Sequence, residues 1–96
     1  KLQVKGKQLN QVLEDSQRFR ESGVTDDKII LKAMTMEGFG QERTSNERII
    51  LAGLASEVGN DNKKIKDLEE RLGKRGLSEK DVSKYIKGVR DINNVI

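Results

Sequence analysis

The chain contains no cysteine, no histidine, no proline and no tryptophan. Lacking cysteine, it can form neither a disulfide nor a thiolate nucleophile, and lacking histidine as well it is without the usual zinc ligands. The absence of proline leaves no position where a helix must break for want of an amide hydrogen. Aromatic residues are reduced to Phe19, Phe39 and Tyr85. The core must therefore come from Ile, Leu and Val, with Met34 and Met36 as gap-fillers. So few aromatic rings also disfavour single-stranded RNA, whose recognition leans on base stacking. No apolar run reaches the roughly 18–20 residues that a membrane span needs, and no secretory signal is visible. The expectation is a soluble, cytoplasmic protein with no membrane partner.

What remains is a chain of 96 residues with 33% apolar and 36% charged positions. That length suits one helical domain over 1–96, and the start at Lys1 rather than Met is compatible with a fragment of a longer protein. Nineteen basic residues stand against sixteen acidic ones, a net charge of +3 and a pI near 9.3. The excess is compatible with nucleic acid but small. It is also spread out. Residues 54–76 carry six Lys/Arg against five acids, and 77–96 carry four against three, so no segment reads as a basic arm.

Apolar spacing is helical wherever it recurs, which predicts an all-α, compact bundle of four to five short helices. Leu9, Val12, Leu13 and Phe19 mark a first helix over 7–21, ended by Gly23. Thr25 reads as the next N-cap, ahead of Asp26 and Asp27, with Ile29, Ile30, Ala33 and Met34 as the buried stripe. The stretch GFGQERTSN over 38–46 is a loop leading into Thr44-x-x-Glu47, a capping box. Helix three then carries Ile50, Leu51, Leu54, Ala55 and Val58 and stops at Gly59. A fourth helix starts near Asp61 with Ile65, Leu68 and Leu72, and halts in GKRG. Ser78 caps a fifth. An echo between GVTDDKIILKAM and GLSEKDVSKYIK is better read as shared capping grammar than as a repeat, since repeats agree over longer spans. Phe39, alone in a polar loop, is expected as a lid over the core.

Catalysis has little to build on. Asp26-Asp27 falls in a helix's first turn, where the dipole accounts for it, and Glu69-Glu70 beside Arg71 reads as a solvated face. GFG lacks the Lys-Ser/Thr of a phosphate loop. No enzyme activity, cofactor or metal is expected.

One stretch has more content: LASEVGNDNKKIKDLEERL, 54–72. A helix-turn-helix needs a small residue where its second helix crosses, a sharp turn four residues later, and apolar residues six and nine beyond that turn. Ala55, Gly59, Ile65 and Leu68 occupy those places, with Leu54 and Val58 as the facing surface. Over about 20 residues this segment resembles the helix-turn-helix of bacterial and phage DNA-binding proteins. It departs from that pattern at Asn60, where an apolar residue is usual, and at Asp67 and Glu70, which would repel phosphate. The resemblance implies that Asn62, Lys63 and Lys66 face the groove while Lys64, Arg71, Lys74 and Arg75 hold phosphates. A plain helical hairpin meets the same packing constraints, and a short coiled coil over Ile65, Leu68 and Leu72 is cut off by GKRG.

The last helix, with Val82, Tyr85 or Ile86, Val89, Ile92 or Asn93, and Ile96, is either part of the core or the seam of a homodimer that would match a palindromic site. The functional expectation is a small regulator or accessory factor, of bacterial, plasmid or phage type, that binds double-stranded DNA. The alternative is a non-enzymatic interaction or assembly module.

Overall fold

In the computed structural model, which describes residues 2–94 with side chains from residue 10 onward, five helices form an all-α bundle. They are α1 (Leu2–Glu21), α2 (Asp27–Thr35), α3 (Asn46–Val58), α4 (Asn62–Lys74) and α5 (Glu79–Asn94). α5 is the central element, packing on α3, α4 and α2, while α1 lies against α2 and α3. The core is aliphatic, as the scarcity of rings requires: Phe19, Ile30, Leu51, Ile65, Leu68, Ile92, Val24 and Val89 are its largest fully buried side chains. Such residues each contribute roughly 1.5–3 kcal/mol on leaving water. Among the described residues no helix is long and apolar enough to cross a membrane, and no buried side-chain nitrogen or oxygen lacks a hydrogen bond.

Each of the helices α2 to α5 begins where a side chain can take its first amide hydrogens, though twice one residue later than the sequence pattern predicts. α2 is capped by Asp26 rather than Thr25, its carboxylate accepting from Lys28 N at 2.9 Å. A carboxylate there also meets the positive end of the helix dipole, which a threonine cannot. α3 is capped by Ser45 rather than Thr44. The Ser45 hydroxyl donates to the Phe39 carbonyl and accepts from Arg48 N, so one side chain closes both the loop and the helix. At α4, Asp61 accepts from Lys63 N and Lys64 N. Ser78 caps α5 as expected, accepting from Asp81 N. The two echoed segments thus use their caps at different offsets from the preceding glycine, Gly23 to Asp26 against Gly76 to Ser78. Shared grammar explains them.

The helical stripes are narrower than expected. In α1, Phe19 is buried and Val12 half-buried, but Leu13 is 57% exposed; the side chain of Leu9 lies outside the described residues. In α3 the inward face is Arg48, Leu51, Ala52, Ala55 and Val58, and Ile50 is turned outward at 52% exposure. Exchanging Ile50 and Leu54 for Arg48 and Ala52 turns the stripe by about 60° round the helix.

Phe39 is the expected lid. It is 3% exposed, meets Tyr85 edge-on at 5.5 Å between ring centres, and lies under the Lys84 ammonium. α3 and α5 pass so closely beneath it that a Cβ on Gly88 would stand 2.9 Å from Leu51 Cδ1. Burial, followed by the charges of Glu47 and Asp81, pushes the Tyr85 phenol above its ordinary pKa. The α5 stripe is likewise occupied within the chain: Ile86, Val89, Ile92 and Asn93 are all buried, with Val82 and Tyr85 packed at the edge. Its described part packs as core, one of the two expectations for this helix; Ile96 lies outside the described residues.

Candidate nucleic-acid interface

The turn between α3 and α4 spans only 59–61. Gly59 adopts φ 55° and ψ −138°, a combination that side chains avoid. Its amide still donates to Ala55 O at 3.0 Å, and Asp61 N donates to Val58 O at 3.2 Å, so the chain leaves α3 with its backbone satisfied. On either side of the turn Ala55, Val58, Ile65 and Leu68 are all 3% exposed or less. Ala55, Ile65 and Leu68 therefore pack on either side of the Gly59 turn as their spacing predicts, while of the expected facing pair Val58 is buried and Leu54 only half-buried. α4 rests more on α5 than on α3, so it is held from behind by α5 and presents its other side to solvent.

The turn owes its shape to a residue far along the chain. Asn93 reaches from α5 to donate through Nδ2 to Gly59 O at 2.9 Å and to Ala55 O at 3.2 Å. Asn60, the residue that departs from the helix-turn-helix pattern, donates in return to Asn93 O. A polar residue at this position is thus explained by its partner. The choice between Ile92 and Asn93 as the inward position has no single answer: both are buried, one in the core and one across the turn.

The seven residues expected to contact DNA do not form one surface. With Ile65, Leu68 and Leu72 turned inward, the 100° step of the helix distributes the rest. Lys63 and Lys74 lie on the outermost face with Glu70 between them. Lys64 and Arg71 fall on the flank toward α3, where with Asp67, Glu57 and Val58 they line a shallow hollow. There Arg71 pairs with Glu57 at 3.5 Å. Such an exposed pair contributes about 0–1 kcal/mol, but it places a carboxylate where a phosphate would have to sit. Asn62 and Lys66 fall on the opposite flank, and Arg75 follows the helix end. Asn62, Lys63, Lys64, Lys66, Arg71, Lys74 and Arg75 are all exposed.

Two buried polar residues belong to no site motif yet decide the architecture. Arg48, only 6% exposed, donates to Ala33 O at 2.7 Å, Gly40 O at 2.7 Å and Glu42 O at 3.1 Å. It holds the 36–45 loop against the end of α2. Its sequence signal was available: an arginine three and seven residues before Leu51 and Ala55 sits on the apolar stripe itself. Asp15 plays a smaller part, pairing with Arg43 at 3.0 Å and accepting from Gln11. No group of three or more acidic side chains among the described residues is placed to hold a metal ion. Comparisons with protein-family models, with curated proteins and with solved structures found no match.

Proposed function

We propose that this chain is a small DNA-binding protein, a regulator or accessory factor, that presents α3 and α4 as a helix-turn-helix with α4 toward the major groove. One observation carries the reading: a three-residue turn closed by Gly59 and Asn93 leaves α4 with its apolar side packed and Asn62, Lys63 and Lys66 at the surface. Amide and ammonium donors on an exposed helix are what base edges and phosphates accept from. With only +3 overall, binding is expected to be weak and to fall steeply with salt. The test is Lys63→Ala combined with Lys66→Ala. The pair should weaken binding to mixed-sequence duplex while leaving helicity and melting unchanged; unaltered binding removes α4 from the groove.

A second reading, a helical interaction module, is favoured by a different observation. Leu13 and Leu31 are 57% and 56% exposed, and both line a hollow between α1 and α2. A mobility shift at two salt concentrations separates the readings, since an interaction module gives no shift with duplex at either.

A further inference from the structure

Building on that reading, we infer that Lys87 and Arg90 of α5 complete the DNA-contacting surface, forming with Asn62, Lys63 and Lys66 of α4 one two-helix rim for the phosphate backbone.

The placement follows from the way α4 and α5 are paired. Only residues 75–78 join them, and the Asn93 and Asn60 hydrogen bonds bring the end of α5 to the beginning of α4. The two helices therefore run antiparallel. At the 75–78 end a groove between them is lined by Glu69, Glu70 and Gly73 on α4 and by Glu79, Val82 and Ser83 on α5, with Leu77 of the connection. Seven residues are nearly two helical turns, with a drift of about 20°. Seven residues back along α4, Glu69 is replaced by Asn62, Glu70 by Lys63 and Gly73 by Lys66. Seven residues forward along α5, Glu79 and Val82 give way to the buried Ile86 and Val89, which form the floor. Ser83 is replaced by the exposed Arg90, and Lys87 lies one turn short of it. The groove that is acidic at one end is thus rimmed at its other end by Lys63, Lys66, Lys87 and Arg90, with Asn62 and Asn94 between them.

The chemistry of this end suits a phosphate chain. Lys87, Arg90 and Asn94 are exposed, and neither cation is ion-paired among the described residues. The acid nearest in sequence, Asp91, is about 100° round α5 from Arg90. It is one turn along from Lys87, about 40° round on the flank with Lys84, and it pairs with neither cation among the described residues. By contrast Arg71, expected to clamp phosphate, is held by Glu57. An anionic membrane fits less well, because interfacial helices bury large apolar side chains beside their cations. Those exposed among the described residues, Leu13, Leu31 and Ile50, belong to α1, α2 and α3.

The experiment titrates the 96-residue chain against a labelled mixed-sequence duplex by fluorescence anisotropy over a range of salt, with phosphatidylglycerol vesicles in parallel. Lys87→Gln with Arg90→Gln is expected to weaken duplex binding about tenfold at low salt and to reduce the salt slope by about 2, one for each phosphate contact. Arg71→Gln should change affinity less than about twofold, its charge being already engaged. Glu69→Gln with Glu79→Gln should bind more tightly, a gain that misfolding cannot produce. If the Lys87 and Arg90 variant binds like the parent while Lys63→Ala with Lys66→Ala does not, the two-helix rim is wrong and the helix-turn-helix reading stands. If the parent chain binds no duplex, both are wrong, and vesicle binding in that case assigns the patch to lipid.

Discussion

The C-termini of α1 and α4 and those of α2 and α3 solve the same problem in opposite ways. Every helix leaves its last carbonyls without internal donors. α1 closes its own end, with Val24 N donating to Phe19 O and Gly23 N to Arg20 O; α4 repeats the device, with Leu77 N to Leu72 O and Gly76 N to Gly73 O. In both, a glycine in the left-handed region lets the chain turn back and an apolar pair seals the turn. α2 and α3 have carbonyls served from a distance, at α3 in addition to the local bond from Gly59 N to Ala55 O. Arg48 supplies Ala33 O, 15 residues away, and Asn93 supplies Ala55 O and Gly59 O from 38 and 34 residues away. A helix end capped within its own sequence survives displacement of its neighbours. A hydrogen bond from a distant side chain forms only in the assembled fold, and it couples that end to whatever holds the donor. This matters most at α3, whose cap also sets the turn that presents α4.

The largest effect should come from the distant caps. Replacing Arg48 by Met removes three charge-assisted hydrogen bonds at once and takes the donor from the carbonyl of buried Ala33, so unfolding by urea should lose about 3–5 kcal/mol of stability. A loss under about 1 kcal/mol, the worth of one ordinary hydrogen bond, would mean that the 36–45 loop does not depend on the guanidinium. Asn93→Leu keeps the volume but not the donor, and should cost about 1–3 kcal/mol. It should also raise hydrogen exchange at Gly59 and Asp61, whose amides close the turn, more than at Gly76 and Leu77. Equal protection at both turns would erase the distinction between local and distant caps.

Within the local cap, two glycines three residues apart should respond with opposite sign. Gly76 has φ 94°, so Gly76→Ala should destabilise by about 1–2 kcal/mol. Gly73 lies inside α4, and a methyl group there would have no other atom within 4 Å, so Gly73→Ala should stabilise by about 0.5–1 kcal/mol. Thermal melts of the two variants check both. The smallest effect lies beside the Arg48 loop, at Tyr85. Its folded-state pKa is raised, first by burial and then by Glu47 and Asp81. Its contribution is therefore complete below the unfolded value of about 10 and is lost as pH rises through the folded one. Ultraviolet titration should find the phenol ionising later in the folded chain than in urea.

The helices themselves were legible because their information is local. Apolar spacing located α2, α4 and α5, and glycine marked the ends of α1, α3 and α4. Where the structure departs from the pattern, a competing contact is the cause. Ser45 displaced Thr44 because its hydroxyl also reaches Phe39 O, and Ile50 faced outward because Arg48 took a place on the inward face. The candidate interface was half legible. Spacing brought Asn62, Lys63 and Lys66 to notice, but grouping them with Lys64 and Arg71 required a single face that the helix does not have. Lys87 and Arg90 carry no motif, and only the antiparallel pairing of α4 with α5 brings them to the same groove end.

Composition and periodicity by themselves determined that this protein is an aliphatic, all-α bundle, with self-capped ends at α1 and α4, because those features depend on residues within a few positions of one another. The tertiary structure alone decided which polar side chains would be buried, which helix ends they would serve, and which cations would share a face. Arg48 and Asn93 act across 15 to 38 residues, and at that range it is the packing of whole helices that decides which donor meets which carbonyl.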